Sequence, residues 1–300
     1  MAKINGNLAE TMQYMERTLR VRENFDLMCR ILRIGSYRCA VYCISGFANN
    51  AILEKLLEAI MGHTEEIRPK DMDMFLDEIV PYASAEIVEE YDTAIFNLLS
   101  GQSLLFVDGL DSCIVMDCRS YPARSVSEPE KDKTLRGSRD GFVETLIFNA
   151  ALIRRRIRDP KLTIESMQTG RSSMTDIALC YMEERIDKNM LNRIREKIQH
   201  LDVDALTMNQ QSLAECLYPY KWYNPFPKFK FTERPDTAAA SILEGNLVIL
   251  VDNSPSAMVL PSSVFDIVEE ADDYYFPPIT GTYLRFSRLI ISLFTLWITP

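Results

Sequence analysis

Three hundred residues with 47% hydrophobic content are enough for one large core or two smaller ones, and 10% aromatics exclude a largely disordered chain. The balance of 33 basic against 43 acidic side chains gives a net charge of −10. That excludes sequence-independent nucleic-acid binding, which needs a basic footprint on the phosphates. Seven scattered cysteines without a CxxC pair indicate reduced, buried thiols, and the two histidines, His63 and His200, stand apart from them. No zinc ligand spacing results, so no metal and no cofactor are expected.

In chain order, the start is polar and lacks the apolar run of a secretory signal. Residues from about Leu8 to Leu32 read as an N-terminal helix, with Leu19, Val21, Phe25, Met28 and Ile31 as its apolar positions. Arg38 to Ile44 is a short buried-strand candidate. After it, Leu53, Leu56, Leu57 and Ile60 form one face of a helix. Asp71 to Leu99 carries one or two more helices, interrupted near Pro81. Gly101 to Met116 then reads as a β-hairpin with Asp108 at its turn.

The segment from Glu128 to Pro160 changes from a polar loop into an amphipathic helix. Phe142, Leu146, Ala150, Ile153 and Ile157 share one face, Ser138 or Asp140 is positioned to cap it, and Asp159-Pro160 stops it. Arg154, Arg155, Arg156 and Arg158 crowd the last turn, where the helix dipole favours cations. One ridge of these is free to pair with a neighbouring domain or subunit.

The earlier pattern then recurs. Ile177 to Met182 resembles the first buried strand, the helix that follows it carries Leu191, Ile194 and Ile198, and Gly245 to Leu260 repeats the hairpin with Asp252 at its turn. A duplicated strand–helix–hairpin unit is the economical account. The expected fold is α/β, with two similar tandem subdomains. Their bounds are 1–120 for the first with its flanking helices, 121–160 for a linker loop and bridging helix, and 161–278 for the second. A juxtamembrane segment at 279–300 completes the plan. Trp222 to Pro227 reads as a stiff aromatic-proline packing loop. From Leu289 to Thr299 the chain is apolar, with Arg285 and Arg288 before it and Trp297 within it. This reads as the beginning of a membrane helix entered from the cytoplasmic side, after a Pro277-Pro278 hinge.

Catalytic chemistry finds little support. There is no phosphate-binding glycine loop and no GxSxG elbow, and the repetition of Asp108 and Asp252 points to turn aspartates that bond their own backbone. Arg136 and Arg139 beside a helix start could hold an anion, but pairing with Glu128, Glu130 or Asp132 explains them better. Two similar α/β subdomains could instead close around a small ligand, which is the alternative to an assembly role.

Glu128-Pro129, the run Arg136 to Phe142, Glu144, Asn149 and Leu152 to Ile157 resemble the most recognisable stretch of the spore germination receptor A-subunit (GerA) family. The runs WYNPFP, TERPD and VDNSPS, and the ending GTYLRFSRL, are similar to it as well. The resemblance implies a non-enzymatic cytoplasmic region of a spore inner-membrane protein, acting in assembly and signal coupling of a germinant-receptor channel complex. It implies a homo-oligomer with other membrane subunits as partners. Glu128, Arg136, Gly137, Arg139, Asp140, Gly141, Arg154, Arg155 and Arg156 become candidate contact residues, and Arg285, Arg288 and Trp297 juxtamembrane ones.

Overall fold

The computed structural model describes residues 2–62, 72–80, 84–120, 140–219, 228–262 and 278–298. The chain divides into two compact units, Met1–Ala123 with Ala150–Ser166, and Arg124–Asn149 with Met167–Pro300.

The first unit holds α1 (Leu8–Leu19), β1 (Leu27–Ile34), β2 (Tyr37–Ile44), α2 (Asn50–Met61), α3 (Met72–Ile79), β3 (Ala85–Val88), α4 (Tyr91–Leu99), β4 (Ser103–Val107) and β5 (Cys113–Met116). The strands form one sheet in the order β1-β2-β4-β5-β3, with every adjacent pair antiparallel. Alternation along the strands gives the sheet two apolar faces. Leu27, Ala40, Tyr42, Leu104 and Phe106 meet Met15, Leu19, Ile95 and Leu98 of α1 and α4. Leu32, Val41, Leu105 and Ile114 meet Leu56, Ile60 and Phe75 of α2 and α3.

The same order of elements follows: α5 (Leu146–Arg156), β6 (Leu162–Thr169), β7 (Thr175–Met182), α6 (Lys188–Gln199), α7 (Gln210–Leu217), β8 (Lys230–Thr232), α8 (Pro235–Leu243), β9 (Leu247–Val251) and β10 (Ala257–Leu260). The second sheet runs β6-β7-β9-β10-β8, the same permutation as the first. Ile177, Leu179, Tyr181, Leu247 and Ile249 pack on Leu191, Ile194 and Ile198 of α6 and on Leu213 and Leu217 of α7. The repeat read as a strand, a helix and a hairpin is thus a duplication of nine elements.

Two expectations need correction. The helix expected from Leu8 to Leu32 ends at Leu19, where Arg20 turns left-handed at φ 48°, and Leu27–Ile34 is a strand. Apolar residues at 28, 31 and 32 suit either period, so spacing did not separate the two. The arginine-ended helix starts at Leu146, so Asp140 is too far upstream to cap it, Ser138 lies outside the described residues, and the helix occupies the place in the second copy that α1 holds in the first. Helix α9 (Pro278–Ile298) runs through Arg285 and Arg288 into the apolar stretch that begins at Leu289. No helix among the described residues is long and apolar enough to cross a membrane. The WYNPFP loop lies outside the described residues.

Candidate functional site

Helix α5 is fixed at its C-terminal end by Arg154, a side chain with 0% exposure in an ion pair with Asp26 at 1%. The guanidinium donates from Nε to Asp26 Oδ2 (2.8 Å) and from Nη2 to Asp26 Oδ1 (3.1 Å), a bidentate fork. Nη2 also reaches Asn24 Oδ1 (3.0 Å) and Nη1 the Leu162 carbonyl (3.1 Å). Asn24 Oδ1 accepts from the Ile164 amide at 2.6 Å, and Asn24 Nδ2 donates to the Leu19 carbonyl at 2.8 Å. The turn after α1 is thereby stitched to the end of α5 and the start of β6, all within the first unit. An ion pair this deep is retained only when its remaining hydrogen-bonding groups are met, as they are here.

The N-terminal end of α5 uses another device. The Leu146 amide donates to Asp252 Oδ1 (3.1 Å), and the Asn253 amide donates to the Glu144 carbonyl (2.7 Å). The first unit repeats it: the Leu8 amide donates to Asp108 Oδ1 (3.1 Å) and the Gly109 amide to the Gly6 carbonyl (2.7 Å). Asp108 and Asp252 therefore serve less as turn formers than as caps, each supplied by a hairpin turn to a helix about a hundred residues away in sequence. Asn149, fully buried, adds bonds to the Val143 amide (2.8 Å) and to the Ser254 carbonyl (3.5 Å). Asp108→Ala and Asp252→Ala should each cost about 1 kcal/mol, the usual worth of a lost N-cap, measured by urea unfolding.

Of the residues expected from sequence, Glu128, Arg136, Gly137 and Arg139 lie outside the described residues, and Asp140 and Gly141 are half-buried just before Phe142. The Phe142 amide donates to the Glu233 carbonyl (2.9 Å), within the TERPD run. In that run Arg234 is buried and forks onto Asp236 at the start of α8. The arginine cluster separates by direction: Arg154 points inward, Arg156 bonds the Leu152 carbonyl (3.0 Å), Arg158 reaches Ser100 Oγ (3.3 Å), and Arg155 is exposed. The sequence did carry a signal for Arg154, which sits four residues after Ala150 on the apolar stripe itself. Asn24 and Asp26 had none, since their partner lies far along the chain. Arg285 and Arg288 are half-buried on α9, and Trp297 falls in its last turn.

Four of the thiols are disarmed by burial. Loss of water pushes the thiols of Cys39 and Cys113 up to about 12, and those of Cys43 and Cys118 up to about 11. A thiol reagent at pH 8 should therefore leave these four unmodified until the chain unfolds. Below the ordinary value of 9.0 both states keep the proton. As pH rises from there toward about 12 only the unfolded state releases it, so stability falls across that window. Among the described residues no group of three or more His, Cys, Asp or Glu side chains is placed to hold a metal ion.

The chain is 34% identical to stage V sporulation protein AF of Bacillus subtilis (strain 168), across 95% of this chain and 58% of that protein. It is 29% identical to spore germination protein KA of the same organism, across 97% of this chain and 53% of that protein. It thus spans somewhat more than half the length of these relatives. The crystal structure of the N-terminal domain of the A subunit of the Bacillus megaterium spore germinant receptor GerK3 superposes with a TM-score of 0.66 at 25% identity. The match covers 87% of this chain and 97% of that domain. A profile described as Bacillus/Clostridium GerA spore germination protein matches residues 13–300, and the chain belongs to that family.

Proposed function

We propose that this chain is a non-enzymatic, cytoplasm-facing region of a spore inner-membrane germination protein, and that it serves assembly and signal coupling in a receptor-like channel complex. The observation that carries this reading is the anchoring of α5. Polar bonds, buried at the C-terminal end and half-buried at the other, fix both of its ends while its last turn still exposes Arg155. A helix held this firmly passes on a displacement rather than absorbing it. The two Bacillus subtilis relatives act, by their names, in sporulation and germination, and the GerK3 domain belongs to a receptor's A subunit.

In this reading α9 leads toward the membrane. Ile279, Tyr283, Phe286, Ile290, Ile291 and Phe294 are exposed along it, an apolar surface larger than a free helix keeps in water. Arg285 and Arg288 within the same helix suit an anionic lipid surface.

The test is Arg155→Glu in the full-length protein in spores. Co-purification of partner subunits should fall and germination should slow, with the variant still folded and present at the parent's level. If assembly and germination both match the parent, α5 is not the coupling element.

A further inference from the structure

Strand β1 is the outermost strand of its sheet, so no described strand pairs with its outer side. The Ser45 amide donates to the Asp26 carbonyl (2.7 Å), and the register pairs Leu27 with Ile44. Antiparallel ladders alternate, so Met28, Arg30 and Leu32 turn their backbone groups to β2. Cys29, Ile31 and Arg33 turn theirs outward. Beside this edge runs a groove of about 550 Å³ lined by Arg30 and by Leu53, Glu54, Leu57, Glu58 and Met61 of α2. Met61 beside it is 48% and Met28 42% exposed, and Ile31, on the other face of the sheet, is 50% exposed.

The duplication supplies an internal control. Helices α2 and α6 both run 12 residues from a side-chain cap, Asn49 in one and Asp187 in the other. Their buried positions agree: Leu53, Leu56 and Ile60 answer to Leu191, Ile194 and Ile198. Most of their outer positions do not, Glu58 answering to Glu196 being the exception. Leu57 becomes Arg195, Met61 becomes Gln199 and Glu54 becomes Asn192, while on the edge strand Ile31 becomes Ser166. The same scaffold therefore folds with polar residues at these places, although Leu57 itself packs partly against the core of the first unit. Exposed apolar side chains beside an open strand edge are the ingredients of strand addition.

We infer that the β1 edge and the α2 groove bind an extended segment of a partner protein that alternates basic with apolar residues. Backbone groups of residues 29, 31 and 33 would pair with the incoming strand. Its lysines or arginines would lay their stems over Leu53, Leu57 and Met61 and set their charges against Glu54 and Glu58, one turn apart on α2. Its apolar residues would meet Ile31 on the other face. This site does not depend on the role proposed for α5.

The probe is a fluorescein-labelled ten-residue peptide of alternating lysine and valine, titrated into the 300-residue chain with anisotropy as readout. Saturable binding is expected. A glutamate–valine peptide, a same-composition peptide with its lysines clustered, and a peptide N-methylated at alternate amides should each bind at least about tenfold more weakly, one pairing or charge contribution lost. Glu54→Lys with Glu58→Lys should reverse the charge preference, whereas Arg195→Glu on α6 should change nothing. Ile31→Pro removes one outward amide and should weaken binding; should that variant not fold, the N-methylated peptide makes the same test. Absence of saturation, indifference to N-methylation, or an unchanged preference in the double variant overturns the proposal. So does a β1-dependent dimer found by light scattering, since the occupant would then be a second copy.

Discussion

Replacing Asp26 with asparagine is expected to cost about 3–5 kcal/mol of folding stability, the usual penalty for stranding one member of a buried ion pair. The substitution keeps the size and most of the hydrogen-bonding shape of the side chain. What it removes is the counter-charge for Arg154, which has 0% exposure and no route to water. Arg154→Met should cost a similar amount, because Asp26 is then the stranded charge and Asn24 and the Leu162 carbonyl each lose a donor. The informative comparison is the double variant, Asp26→Leu with Arg154→Met. Two apolar groups replace two mutually satisfied charges there, and the loss should shrink to near zero or reverse, as it often does when a buried pair is replaced by well-packed hydrophobic residues. Urea unfolding of the parent, both single variants and the double variant measures the coupling directly. If the singles cost under 1 kcal/mol, the clasp does not hold the end of α5.

Gly245→Ala should be the other severe substitution, at roughly 2–3 kcal/mol, since a left-handed backbone strains any L side chain and the space is already taken. Gly245 adopts φ +99°, and a Cβ there would stand 2.8 Å from the Arg185 carbonyl oxygen, a backbone atom that cannot swing aside. Its counterpart Gly101 has φ +98°, but there the added carbon meets the Phe47 ring at 3.2 Å. A ring gives way more easily than a carbonyl, so Gly101→Ala should cost about 1–2 kcal/mol. Thermal melts of the two variants rank them. Equal effects would mean that backbone strain alone decides the cost and that the Arg185 contact adds nothing.

Much of the fold was readable before any coordinate. The paired hairpins beginning at Gly101 and Gly245, the buried strands β2 and β7, and the helices α2 and α6 all announce themselves by local periodicity. The duplication follows from their likeness. The edge strands were harder. Strand β1 has exposed side chains interleaved irregularly with buried ones, and its apolar residues fit a helical stripe nearly as well. Neighbouring helix propensity could then extend α1 through Arg20 on paper. In the fold, a left-handed Arg20 and pairing with β2 end it.

The candidate site divides along the same physical line. Sequence by itself determined that an amphipathic, arginine-ended helix lies between two similar halves, and that Asp108 and Asp252 occupy equivalent turns. Those facts rest on spacing, which local sterics impose. Only the tertiary structure decided that Arg154 turns inward to Asp26, and that the two aspartates cap helices rather than their own turns. It also revealed that the first copy carries exposed apolar residues where the second is polar. Each of these depends on groups brought together from distant parts of the chain, and a side chain's partner is set by the fold that buries it.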